Sequence, residues 1–212
     1  DCLAYIYIPA SVTSIGNYAF SGCEGLTFIS IPNSVEVIGD GAFKSSGLEF
    51  IFIPSSVTTI GKNSDCLEYN EQADDYCGSF ENCSKLATVI IADGVEVIGH
   101  SAFRNSGLKS ISIPSSVTSI GYYAFEDCKG ITSITIPYGV KENGWGTFGG
   151  CGLKSINIPL SVTSIGNFAF WGCDGLADIT IPCGVEEIGR GAFGKSGLES
   201  IYIPSAVTSI GR

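Results

Sequence analysis

Nine cysteines, a single histidine and a run of carboxylates are the side chains of this 212-residue chain that could do chemistry. Thiols can pair as disulfides or, with histidine, hold zinc. The chain has no C-x-x-C pair and His100 is its only histidine, so a zinc site lacks its usual ligands. Cys23, Cys83, Cys128, Cys151 and Cys173 each follow a phenylalanine by three residues, and Ser46, Ser106 and Ser196 take that place after other phenylalanines. A place shared by Cys and Ser reads as a ladder of small side chains in a buried corner, with each thiol acting as a compact filler. Its serine rungs rule out most disulfides along it. Cys66 and Cys77 stand outside the ladder and flank one unusual stretch, so they form a candidate disulfide worth at most roughly 2–4 kcal/mol. Between them Glu68, Glu71, Asp74 and Asp75, with Asp65 just before, could attract calcium, but the spacing and central glycine of an EF-hand loop are missing. A solvated loop is expected there. No isolated carboxylate pair and no glycine-rich phosphate cradle is present, so no catalytic residue, metal or cofactor is assigned.

The elements that position these side chains come from a repeat. Pro9, Pro32, Pro54, Pro114, Pro137, Pro159, Pro182 and Pro204, all the prolines of the chain, close Leu-x-x-Ile-x-Ile-Pro strings or near copies. Units start at Leu3, Leu26, Leu48, Leu86, Leu108, Ile131, Leu153, Leu176 and Leu198, most of them 22 or 23 residues apart. That is the period of a leucine-rich solenoid. In Leu108-Lys-Ser-Ile111-Ser-Ile113 apolar residues alternate with polar ones, as in a half-buried strand. Pro114 ends the strand because it has no N–H for a ladder. Val117 and Ile120 turn inward on the next side, Gly121 permits a tight corner, and Ala124-Phe125 is expected to dip inward from a 3₁₀ or short helical turn. The longer units carry Tyr18, Tyr123 and Phe168 where the shorter ones carry Gly41 and Gly191, which predicts large-beside-small packing between adjacent coils.

Residues 1–212 thus read as one elongated leucine-rich repeat domain of nine coils, the last incomplete, with an insertion at about 62–77. At about 4.8 Å per coil it is roughly 40 Å long. The chain begins and ends without a polar cap, so it is expected to be a stretch of a longer array or to associate end to end. A formal charge of −10 argues against nucleic acid as partner. No apolar run approaches the roughly 20 residues of a membrane span.

Two surfaces stand out. Strand residues flanking the inward Ile side chains point outward, which places Tyr5, Tyr7, Phe28, Phe50 and Phe52 of the first three coils on one solvent-facing sheet. A contiguous aromatic patch marks a contact site, although aromatics also favour strands for their own sake. The second candidate gathers Tyr122, Trp145 and Trp171 at the coil corners. There the sixth unit departs from the pattern, with Asn143 for the inward Ile and Thr147 for Ala, which reads as a contact site, a hinge or tolerated drift.

The strings Leu108-Lys-Ser-Ile-Ser-Ile-Pro-Ser-Ser-Val-Thr-Ser-Ile-Gly121 and Ala124-Phe125-Glu-Asp-Cys128 resemble the BspA-like (Treponema pallidum type) leucine-rich repeat family. The resemblance covers all but about residues 62–77, with Ala92 for the proline and Asn143 for Ile as departures. It implies a right-handed solenoid with a parallel concave β-sheet. It also implies a cell-surface or secreted protein that adheres through that sheet to a protein or glycan, such as host extracellular matrix or another microbe's surface. A spacer or targeting module within a larger secreted enzyme or wall-anchored protein is the alternative. An intracellular scaffold, which free thiols would suit, ranks behind both.

Overall fold

A computed structural model of the chain describes residues 3–61 and 77–211. They form a parallel β-solenoid whose coils carry two rows of short strands. One row comes from the Ile-x-Ile stretches: β3 (Phe50–Ile53), β5 (Thr88–Ile91), β7 (Ser110–Ser112), β9 (Ser133–Thr135) and β11 (Ser155–Asn157). The other comes from the residue pair before the corner glycine: β1 (Ser14–Ile15), β2 (Val37–Ile38), β4 (Thr59–Ile60), β6 (Val97–Ile98), β8 (Ser119–Ile120), β10 (Glu142–Asn143), β12 (Ser164–Ile165), β13 (Glu187–Ile188) and β14 (Ser209–Ile210). Pairing follows the repeat, so like residues meet: Ile15 opposite Ile38, Ile38 opposite Ile60, Ile60 opposite Ile98. Each hydrogen-bonded row is interrupted once between the fifth and sixth coils, at β8 to β10 and at β7 to β9.

The core is a set of columns along the axis. Leu26, Leu48, Leu86, Leu108, Ile131, Leu153 and Leu176 are buried, as are Val35 through Val185 and the inward Ile51, Ile53, Ile134 and Ile136. Ile111 and Ile113 are half-buried and pack on the same core. One unbroken stack of phenyl rings runs through it. Phe20, Phe43, Phe80, Phe103, Phe125, Phe148, Phe170 and Phe193 lie nearly parallel, with successive centroids 5.2 to 5.7 Å apart. Stacked pairs at such separations add about 0.5–1.5 kcal/mol each beyond simple burial. The insertion leaves this stack intact: Phe43 and Phe80 are 5.2 Å apart, and the Cys77 carbonyl already accepts a hydrogen bond from Gly41 N–H.

The expected 3₁₀ or helical piece around Ala124-Phe125 is absent among the described residues. A 3₁₀ segment needs consecutive i→i−3 bonds. Here they alternate with bonds to the next coil. Ala124, Glu126 and Cys128 donate to Gly121, Tyr123 and Phe125, while Tyr123, Phe125 and Asp127 donate to Trp145, Thr147 and Gly149. The same alternation recurs in the other coils and makes this side a ladder of turns. Two left-handed residues per coil open it, as at Tyr123 (φ 58°) and Asp127 (φ 56°) or Gly146 (φ 60°) and Gly150 (φ 66°).

Large-beside-small packing holds. The rings of Tyr18, Tyr123 and Phe168 lie over Gly41, Gly146 and Gly191, each of which has no room for a Cβ. At the corner, Gly121 is needed for close approach and not for its φ: a Cβ there would stand 2.5 Å from His100 N.

Candidate functional site

Strand alternation sets the first candidate surface at Phe50, Phe52 and Ile90, whereas Tyr5, Tyr7 and Phe28 of the first two coils stand outside the paired strands, contrary to the expectation of one sheet. Ile51 and Ile53 are fully buried, so the residues between and before them must face out. Tyr5 and Tyr7 are 71% and 75% exposed, and Phe28 and Phe52 are 48% and 44% exposed, whereas Phe50 is half-buried. Phe52 pairs across the sheet with Ile90 of the fourth coil, itself exposed, so the apolar strip extends one coil beyond the predicted five aromatics. After Ile90 the outward positions become Ser112, Thr135 and Asn157, and the strip ends.

The second candidate divides. Tyr122 lies against the His100 ring, 4.6 Å between centroids, and its N–H donates to His100 Nδ1. Trp145 and Trp171 belong to a different cluster, joined through Phe168 at 6.2 Å and 5.5 Å, with Tyr123 on the other side of Trp145 at 6.3 Å. Tyr122 occupies the same repeat column as Trp145, but its neighbour Tyr123 is the residue that reaches the tryptophan. Together with Glu126, Asp127, Gly149, Gly150 and Gly172 these rings line an open groove of about 560 Å³. Of the sixth coil's departures, Thr147 is buried, and its hydroxyl donates to Gly144 O at 2.9 Å.

Acid and base groups run along the same side. Lys44 Nζ stands 3.3 Å from Glu81, Arg104 3.4 Å from Glu81, and Arg104 Nε 2.6 Å from Glu126. Glu81 is 1% exposed, and burial pushes its carboxyl above the ordinary 4.5 although Lys44 and Arg104 pull it down. Burial also raises Glu126 against the pull of Arg104, with the charge of Asp127 adding to the rise.

The thiol ladder is buried and free at Cys83, Cys128, Cys151 and Cys173, and half-buried at Cys23. These thiols do more than fill space. Each buried one donates to the phenylalanine carbonyl of the previous coil, as Cys128 Sγ does to Phe103 O at 3.0 Å and Cys151 Sγ to Phe125 O at 3.0 Å. Burial pushes Cys83 and Cys128 up to about 11 and Cys173 up to about 12. Cys77 is buried and disulfide-bonded. Cys66 and the acidic residues Asp65, Glu68, Glu71, Asp74 and Asp75 lie outside the described residues. Hydroxyls tie coil to coil: Thr118 Oγ1 donates to Glu96 O and Ser116 Oγ to Val95 O.

Compared with known proteins, residues 2–111, 71–167 and 96–212 match a family described as BspA type leucine-rich repeat region, in six copies. A leucine-rich repeat protein from Bacteroides ovatus is 35% identical over 94% of this chain and 49% of its own, with a TM-score of 0.83. A leucine-rich cell surface protein from Faecalibacterium prausnitzii is 29% identical over 96% of this chain and 58% of its own, with a TM-score of 0.55. The pneumococcal vaccine antigen PcpA, 22% identical with a TM-score of 0.52 over 96% of this chain and 57% of its own, shares the fold. The chain thus spans about half the length of the structures it resembles. No curated protein matches it significantly. Among the described residues no helix is long and apolar enough to cross a membrane.

Proposed function

Because the chain belongs to the BspA-type leucine-rich repeat family, we propose that it is a non-catalytic interaction module that binds a protein or glycan through the aromatic end of its Ile-x-Ile face. The carrying observation is the exposure of Tyr5, Tyr7, Phe28 and Phe52 on adjoining coils, continued by Ile90. Side chains of neighbouring coils stand about 4.8 Å apart, so these rings make one surface. Contiguous exposed aromatics cost solubility and supply the rigid, large contact areas that dominate binding energy. The setting is the cell surface or the medium, a reading supported by the similarity to the leucine-rich cell surface protein of Faecalibacterium prausnitzii. Adhesion to host extracellular matrix or to another microbe's surface is the role. The second reading, a spacer or targeting module, draws on the greater length of the relatives; a catalytic domain beside the repeats in the full-length gene would favour it.

The triple substitution Tyr7→Ser, Phe28→Ser, Phe52→Ser tests the first reading. These side chains are outside the core, so circular dichroism and thermal unfolding should stay close to the parent. Binding to immobilised matrix proteins and to intact cells of neighbouring species should fall at least about tenfold. Retained binding with an intact fold overturns the assignment of the site.

A further inference from the structure

The groove by Trp145 and Trp171 is a missing rung. One outward column of the turn ladder reads Lys44, Glu81, Arg104, Glu126, Gly149, Trp171 from coil to coil, and the next reads Asn105, Asp127, Gly150, Gly172, Lys195. The first alternates in charge, cation to carboxylate, through three ion pairs. After Glu126 the alternation requires a cation, and the chain supplies glycine. Gly150, with φ 66°, carries no side chain either, and the Asp127 carboxylate fills the place that its Cβ would take. The gap is bounded by Glu126 and Asp127 on one side and by Phe168 and Trp171 on the other. Further down the same wall the chain already seats cations on these rings: Lys195 Nζ is 5.2 Å from the Trp171 centroid and the Arg190 guanidinium 5.8 Å from that of Phe168.

We propose that this groove receives an arginine side chain of a protein partner, with its guanidinium in the vacant rung between the Glu126–Asp127 carboxylates and the aromatic wall. Charge complementarity selects the occupant. Burial and the Asp127 charge lift the Glu126 carboxyl against the pull of Arg104, so a second cation between Glu126 and Asp127 is favoured. A guanidinium fits better than an ammonium because it is planar, stacks on rings and presents a fork of donors to two carboxylates at once. The chain's net charge of −10 draws a basic partner toward it. This surface lies on a different side of the coil from the Ile-x-Ile strip, so either site can fail without the other.

Both tryptophans of the chain line the groove, which makes their fluorescence a local reporter. The full chain is titrated with a blocked Gly-Arg-Gly peptide and with the same peptide carrying citrulline, which keeps the shape and loses the charge. A saturable change with the arginine peptide is expected, about tenfold weaker with citrulline. Gly149→Arg should abolish it by filling the rung from within. A Cβ at Gly149 meets nothing closer than Gly146 O at 3.4 Å, so the fold has room for it, and circular dichroism verifies that. Asp127→Asn, which alters no backbone, should weaken binding by a similar factor. The absence of a saturable response overturns the proposal. So does equal affinity for citrulline, or undiminished binding in either folded variant.

Discussion

Cys128 shows how far a single column could be read. Its shared place with Ser46 and Ser106 pointed to a small, buried, weakly polar side chain, and the structure agrees. What could not be read is the bond: Sγ donates to Phe103 O, a carbonyl of the previous coil that only stacking brings within 3.0 Å. Serine keeps that donor, so Cys128→Ser should change stability by less than about 1 kcal/mol, whereas Cys128→Leu overfills the corner and should cost about 1–3 kcal/mol in a urea melt. Thiols held at about 11 to 12 are neutral and inert at physiological pH. A thiol reagent should therefore label exposed Cys183 and half-buried Cys23 in the native chain and reach Cys83, Cys128, Cys151 and Cys173 only on unfolding. Glu81 gives a pH signature. Its carboxyl is raised in the folded state, so folding favours the proton: its contribution is most favourable below the ordinary 4.5 and declines as pH rises through the folded value. The stability of the parent relative to Glu81→Gln should therefore decrease from about pH 4 to about pH 7. The pull of Lys44 and Arg104 on the ionised carboxylate opposes that slope without reversing it, because burial is the larger effect.

At the scale of elements, the strands were legible and the turns were not. Ile-x-Ile alternation and the terminating proline fix where the Phe50–Ile53 and Ser110–Ser112 strands run and which way their side chains face. The turn ladder has no comparable signature, because its left-handed positions hold Tyr18, Ser101, Tyr123 and Phe168 as readily as Gly41 and Gly146. An apolar Ala-Phe pair beside such residues suggests a helical turn, yet every second N–H is claimed by the neighbouring coil. For the same reason the corner cluster was read one residue out of place, at Tyr122 instead of Tyr123. Two glycines of the sixth coil separate the effects. Gly146 has φ 60° and a Cβ would lie 2.5 Å from the Tyr123 ring, so Gly146→Ala should cost about 1–3 kcal/mol. Gly149 has an ordinary φ and space, so Gly149→Ala should stabilise by about 0.4–1 kcal/mol through the unfolded chain. Thermal unfolding of the pair checks both signs.

For the whole molecule the repeat period carried nearly everything, since register steps between paired strands equal the spacing of the repeats, Val37 to Thr59 and Glu142 to Ser164. An insertion breaks the period in the chain but not in space, because Cys77 and Ser79 resume the ladder against Gly41 and Phe43. Stability is then close to a sum over coils and the contacts between neighbours. A ring in the middle of the phenyl stack touches one ring above and one below, as Phe125 touches Phe103 and Phe148 at 5.6 Å each. Phe193 has a described stacking partner only in Phe170, and it is half-buried. Phe125→Ala should therefore cost about 3–5 kcal/mol, near the full penalty for emptying a core phenylalanine site, and Phe193→Ala roughly half of that. Beyond the difference in size, the two should differ in kind. Loss of Phe125 weakens the interfaces on both sides of the fifth coil, and on the side toward the sixth both strand rows are already interrupted, so the urea transition should broaden as the coils before and after that break begin to unfold separately. Loss of Phe193 removes only its described contact with Phe170 and should leave one sharp transition for the coils before it. Equal costs and equally sharp transitions would mean that the coils fold as one indivisible core and not as a row of neighbours.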